Sequence, residues 1–265
     1  MTIAVGLIAS DGLVIAADRQ ETHGGFIKFD QGKVSAALTA TTRDVKTPSR
    51  CCVLTGSGNG HHLDAVGDKL LRSIFKSEDK TDAEIDARFD GILKEFYAEN
   101  ILPFASYPDN ERPDIQLLMG LDQPRNRLLV SEKNIFRQAD TFVAVGIGSL
   151  IAYPLLTRFY KTFPDVRGAV LLAAYVISHV KDSVEGCGKA TDIAGIINGE
   201  YFSVPRIETD ALESAVRDYS ATVEPELLRR LIGGSDEERK SATKAQARLK
   251  RAVNALTLCG RYSGQ

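Results

Sequence analysis

The first eighteen residues constrain this chain most. Two apolar runs, residues 3–8 and 13–17, flank Ser10-Asp11-Gly12. An Asp-Gly pair between β-prone runs marks a hairpin, because glycine accepts the positive φ that tight turns use. Both runs are almost continuously apolar rather than alternating, which predicts strands buried on both faces. The hairpin begins at the second residue, so no signal peptide is expected ahead of it. Removal of Met1 would make Thr2 the free N-terminus of a central strand.

That position has chemical meaning. A threonine hydroxyl is a poor nucleophile until a base takes its proton. At a chain terminus the base is already present, since a free α-amine titrates near pH ~8. The β-branch restricts χ1 and helps hold the hydroxyl in one place. Read alone, Thr2 is a small residue after an initiator methionine, and the pattern around it gives it weight.

That pattern begins with Thr2, the Asp-Gly hairpin and Ala16-Ala17-Asp18-Arg19. It continues through Lys33-Val34, Leu54-Thr55-Gly56-Ser57-Gly58 and Val145-Gly146-Ile147-Gly148-Ser149, then Asp182 and Thr191-Asp192-Ile193-Ala194. In this order and at about this spacing, the landmarks resemble the β-type subunits of proteasomes and their bacterial relatives, which are N-terminal-nucleophile hydrolases. Each landmark is short, and their ordered combination over residues 2–200 carries the resemblance.

Composition narrows the remaining choices. A chain of 265 residues can bury a full core. Lys+Arg 33 against Asp+Glu 35 gives a net charge of −2, which does not suggest a nucleic-acid partner. No run approaches the ~18 apolar residues of a membrane span. Cys51, Cys52, Cys187 and Cys259 lack metal-ligand spacing, and reduced thiols in a cytoplasm are expected. No metal or cofactor is expected.

In order, the periodicity predicts a loop over 19–31, a strand over 33–38 and an exposed connection over 39–50. A strand over 51–55 then runs into a glycine-rich turn at Gly56. Leu63, Val66, Leu70, Leu71, Ile74 and Phe75 fall at helical spacing. Thr81-Asp82-Ala83-Glu84 reads as a capping box opening a second helix. A hairpin is expected from 115–121 and 127–130, and strands over 142–145 and 193–197. Helices are expected over 150–163 and 169–182. The second of these is apolar almost all round until His179, so burial by the sheet and by neighbouring subunits is expected.

Strands, two helices, strands, two helices and a strand suit two sheets covered on their outer faces by helix pairs. The resemblance implies the same α+β arrangement, the four-layer αββα sandwich, over residues 1–207. Residues 208–265 read as a charged helical extension. Ser235-Asp236-Glu237-Glu238 offers a second capping box there, and Ala242, Ala245, Leu249, Val253 and Leu256 form an apolar stripe. That stripe packs either on its own domain or on a neighbouring subunit.

The resemblance implies roles at several positions. Thr2 is the nucleophile and its own amine the base. Asp18 holds the catalytic lysine, and Lys33 is that lysine, with Lys28 the alternative if the preceding loop aligns differently. A cation beside an α-amine disfavours its charged form and leaves more neutral base. Gly56 offers an oxyanion-stabilising N–H. Asp182 is the supporting acid, and Ser149 and Ser183 are candidate supporting hydroxyls, with Cys187 another occupant of the second place. The sequence departs from the family at Ile147, where active members usually carry a serine. His61, His62 and His179 read as structural or surface residues.

Three functions fit. The first is a proteasome-like threonine hydrolase that cleaves peptide bonds of peptides or unfolded proteins, assembled as a homo-oligomeric ring or related assembly. The second is a catalytically silent subunit that kept the fold. The third is a small-molecule amidase, because substrate pockets lie in loops. An ATPase partner is suggested by analogy alone.

Overall fold

The computed structural model describes residues 2–23, 27–38, 50–75, 81–108, 113–122, 125–229 and 236–258. The N-terminal hairpin is present as β1 (Ala4–Ala9) and β2 (Gly12–Asp18), paired from Ala4↔Ala17 to Ala9↔Gly12. Gly12 is not at positive φ, contrary to the turn chemistry expected of it. Space requires the glycine instead: a Cβ there would stand 1.9 Å from the Ile196 carbonyl oxygen.

The hairpin is the middle of a five-stranded sheet. β10 (Phe142–Val145) lies beside β1, β11 (Thr191–Ile197) beside β2, and β12 (Glu200–Ser203) at the far edge. The second sheet runs in the order β5 (Ser35–Leu38), β6 (Cys51–Gly58), β7 (Ile115–Leu121), β8 (Arg127–Glu132) and β9 (Ile135–Ala139). A separate ribbon pairs β3 (Gln20–His23) with β4 (Ile27–Asp30).

Side-chain alternation sorts the apolar residues into three cores. Ile3, Val5, Leu7, Val14 and Ala16 face α3 (Ser149–Phe159) and α4 (Val166–Ser183). Ala4, Leu13, Ile15 and Ala17 meet Val53, Leu118 and Leu128 of the other sheet. The outer face of that sheet packs under α1 (Gly60–Phe75) and α2 (Asp82–Asn100). The layers are therefore α, β, β, α. The sheets approach closely at Gly6, where a Cβ would stand 2.7 Å from Leu128 Cδ1.

Several expectations need correction. The 19–31 loop is largely the β3–β4 ribbon, whose β4 is exposed throughout although Ile27 and Phe29 alternate there with polar residues. Gly56 lies inside β6, opposite Leu117, rather than in a turn after it. β9 was not foreseen, and neither was β12, although Asn198 (φ 51°) and Gly199 (φ 81°) form the positive-φ pair of a tight hairpin. Residues 39–49 and Ser235 lie outside the described residues. The capping box at Thr81 is present with both reciprocal bonds.

The helical tail packs on its own chain. α5 (Arg206–Arg229) lies against α4 and β11, and α6 (Asp236–Ala255) lies on α5. Leu249 and Val253 reach the α3–α4 core, while Ala242 and Ala245 pack on Val223. This covers α4 within the chain, so its apolar surface needs no neighbouring subunit.

One core residue makes stability depend on pH. Asp122, at the end of β7, accepts the Cys51 N–H at 2.8 Å, while its other carboxylate oxygen is buried without a partner among the described residues. Burial pushes its carboxyl up from 3.8 to about 6. A raised folded-state value contributes stability below the unfolded value, and that contribution is lost as pH rises through about 6. Asp122→Asn keeps an acceptor for Cys51 and removes the charge. It should raise stability by on the order of 1–2 kcal/mol at pH ~8 and by little at pH ~4. Urea unfolding at the two pH values measures this, and an equal effect at both would refute the assignment.

Candidate active site

The site forms where the N-terminal end of β1 meets the C-terminal end of β2. The hairpin register brings Thr2 beside Asp18, and reciprocal bonds fix the pair. The Ile3 N–H donates to Asp18 Oδ1 at 3.0 Å, and the Asp18 N–H donates to the Ile3 carbonyl at 3.0 Å. Asp18 is 0% exposed and Thr2 4%. The other Asp18 oxygen accepts the N–H groups of Gln20 at 3.3 Å and Gly188 at 2.9 Å.

Lys33 enters from the loop between β4 and β5. Its Nζ donates to Thr2 Oγ1 at 2.5 Å, to Asp18 Oδ1 at 3.2 Å and to the Gln20 carbonyl at 2.5 Å. Lys28 instead reaches the Glu185 carbonyl at 3.3 Å. The loop is anchored by groups that sequence reasoning missed as participants. The Lys33 N–H donates to Asp192 Oδ2 at 3.1 Å, and Arg19 donates to Asp192 at 2.8 Å and to Asp30 at 2.6 Å. The Arg19 guanidinium holds the Asp30 carboxyl below its usual range. Arg19 and Asp192 both stand inside the landmarks quoted above, which was the available signal.

Other expected residues fall differently. Asp182 and Ser183 are exposed in the last turn of α4, and the residue from this region that bonds Asp18 is Gly188. Its neighbour Cys187 is buried, and burial pushes its thiol up to about 12, which leaves it protonated at neutral pH. Ser149 is half-buried at the start of α3. Gly56 and Thr2 line one cleft of about 880 Å³ between β3, β6 and α1. His61 also lines it, whereas His62 bonds Asn59 and His179 bonds the Tyr175 carbonyl.

The Gly146-Ile147-Gly148 turn closes over the Thr2 backbone. Gly146 has φ +92°, and a Cβ there would stand 2.2 Å from the Thr2 carbonyl oxygen. The Gly148 N–H donates to that same oxygen at 3.4 Å. Ile147 is half exposed.

The arrangement is a hydroxyl, an ammonium and a buried carboxylate in one chain of contacts, open to a cleft. Among the described residues no group of side chains could hold a metal ion, and no helix is long and apolar enough to cross a membrane.

No protein-family model matches the chain. It is 26% identical over 198 residues to the proteasome subunit beta 2 of Aeropyrum pernix, covering 73% of this chain and 82% of the relative. It is also 26% identical over 223 residues to the proteasome subunit beta of Archaeoglobus profundus, covering 82% and 94%. Among solved structures it superposes on Anbu, an ancestral beta-subunit, from Yersinia bercovieri with a TM-score of 0.66 at 15% identity over 88% of this chain and 99% of that one. The Anbu complex of Pseudomonas aeruginosa, solved as a helical assembly, gives a TM-score of 0.67 at 20% identity over 89% and 99%. The fold is that of Anbu. In sequence the chain is similar to proteasome β subunits.

The glycine turn can be tested directly. Gly146→Ala should cost at least about 2 kcal/mol, because it adds backbone strain to a clash with main chain. Ile147→Ser, at the half-exposed centre of the same turn, should cost no more than about 1 kcal/mol. Denaturant midpoints of the two variants measure this, and equal losses would mean that the turn is not closed on Thr2 as described.

Proposed function

We propose that this chain is a proteasome-like threonine hydrolase that cleaves amide bonds of peptides or unfolded proteins. Thr2, exposed by removal of Met1, is the nucleophile. The observation that carries the reading is the Lys33 ammonium, 2.5 Å from Thr2 Oγ1 and 3.2 Å from Asp18 Oδ1. An ammonium bonded to the hydroxyl stabilises alkoxide character on its oxygen, and its charge keeps a nearby α-amine neutral. The amine takes the Thr2 proton as the oxygen attacks the substrate carbonyl. It then gives that proton to the departing amine, leaving an ester on Thr2. Water hydrolyses the ester and restores the hydroxyl. Gly56, beside Thr2 in the cleft, is the proposed oxyanion donor through its backbone N–H.

Assembly of several copies is part of the proposal. It draws on the helical assembly of the Pseudomonas aeruginosa Anbu complex and on the exposed apolar residues Leu150, Ile151 and Tyr153 of α3. The silent-subunit reading draws on Ile147, which supplies no hydroxyl beside the nucleophile.

Turnover of a fluorogenic peptide panel, with electrophilic labelling of Thr2 in protein lacking Met1, tests the mechanism. Thr2→Ala should abolish both signals. Lys33→Ala should lower turnover roughly 100- to 1000-fold, by comparison with loss of an oxyanion donor. Since Asp18 is fully buried, that variant also loses the partner of a buried charge, and its folded fraction must be measured alongside. Lys28→Ala should stay within a few-fold of the parent. If processed protein neither turns over a peptide nor labels at Thr2, the silent-subunit reading prevails.

A further inference from the structure

We propose that Glu213 of α5 is a positioning residue for the reaction: it holds the Lys181 ammonium on Thr191 and cancels its charge, so that Lys33 alone acts on Asp18 and on the Thr2 amine. This rests on the hydrolase reading above, in which that amine is the base, and it makes the helical extension part of the site.

Strand faces bring these groups together. Val14 and Ala16 of β2 point toward α4, and strand alternation puts Asp18 on the same face. Ile193 of β11 also points toward α4, and so therefore does Thr191. Thr191 is the cross-strand partner of Asp18, and such partners stand roughly 5 Å apart on one face. Lys181, in the last turn of α4, comes down on this pair. Its Nζ donates to Thr191 Oγ1 at 2.5 Å and to Glu213 Oε1 at 2.6 Å, and the Thr191 hydroxyl donates to the same Glu213 oxygen. The Lys181 side chain is 8% exposed and that of Glu213 3%.

The charged groups around Lys181 come from every element packed against it. Glu213 faces it from α5, and the exposed Arg217 lies 3.7 Å from the other Glu213 oxygen. Asp18 faces it from β2 across Thr191, and Lys33 holds that carboxylate at 3.2 Å. The Cys187 thiol senses both sides: burial and the Asp18 charge push it up, while Lys33 and Lys181 pull it down. Within α4, His179 bonds the Tyr175 carbonyl and Asp182 is exposed. Asp192, next to Thr191, lies on the opposite face of β11 and is taken by Arg19.

Packing does not account for the Lys181–Glu213 pair. A buried ion pair stabilises a fold no more than apolar side chains of similar volume do. What this one supplies is a fixed charge balance behind Asp18. With Glu213 neutral, Lys181 becomes a second cation that competes for Asp18 and loosens the hold of Lys33 there. Its charge also disfavours the protonated Thr2 amine. With Lys181 neutral, Glu213 leaves negative charge in the same place and favours the protonated amine.

The test uses full-length protein lacking Met1 that carries Glu213→Gln, Lys181→Met or both. The acid limb of the pH profile of kcat/KM reports the base of the free enzyme. Glu213→Gln should move that limb down by about half a pH unit and Lys181→Met up by about as much. The charge-balanced double variant should return it to the parent's position. At the optimum, Glu213→Gln should lower kcat about tenfold with KM within about twofold of the parent. A role in folding alone would reduce the active fraction of every variant and move no limb. Competitive acetylation of the N-terminal amine between pH ~5 and ~9, read by mass spectrometry of the N-terminal peptide, gives the same midpoints without catalysis. Lys181→Met leaves a buried carboxylate. If it does not fold, the other two variants decide, because Glu213→Gln must titrate below both the parent and the double variant. Coincident midpoints, or midpoints that all move one way, overturn the inference, and turnover in the same samples leaves the hydrolase reading intact. Midpoints in the expected order without any turnover keep the charge balance and remove the hydrolysis alone.

Discussion

A carboxylate with no access to water must be satisfied entirely by protein, and the structure turns on how this is done for Asp18. Its oxygens accept N–H groups from Ile3, Gln20 and Gly188 and the ammonium of Lys33. Those donors come from four places: the start of β1, the start of β3, the connection between α4 and β11, and the loop before β5. Removing one partner of such a buried pair costs about 3–5 kcal/mol, because the remaining charge is left uncompensated. The segments that meet at Asp18 are therefore held together by the same interaction that points Lys33 at Thr2.

Behind this point lies a second buried ion pair. Lys181 of α4 bonds Glu213 of α5 at 2.6 Å and Thr191 of β11 at 2.5 Å, and Thr191 also donates to Glu213. Thr191 is the cross-strand partner of Asp18. The C-terminal helices thus complete the wall behind the site. They also cover the α4 face that would otherwise leave apolar surface in water.

Local chemistry made several parts of the chain readable. The apolar hairpin, the Thr81 capping box and the helical spacing of α1 and α2 follow from rules that act over a few residues. The β3–β4 ribbon was not legible, because its alternation is confined to Ile27 and Phe29, too short to stand out from the polar stretch around it. The need for Gly12 was legible only as glycine: its cause is the Ile196 carbonyl, which lies far away in sequence. Asp182 and Ser183 illustrate the opposite error, since residues of the right type near the right place are exposed at a helix end.

By itself the sequence determined the long helices, the buried strands and the layer order, because periodicity is local, while the family resemblance singled out Thr2, Asp18 and Lys33, with Lys28 as the alternative. The tertiary structure alone decided that Lys33 rather than Lys28 reaches Thr2, and that Arg19 and Asp192 hold its loop. It also decided that β3, β6 and α1 together line the cleft beside Thr2. Those outcomes depend on distances between residues 31 to 173 positions apart. Such distances are set by how whole layers pack, which no short stretch of chain encodes.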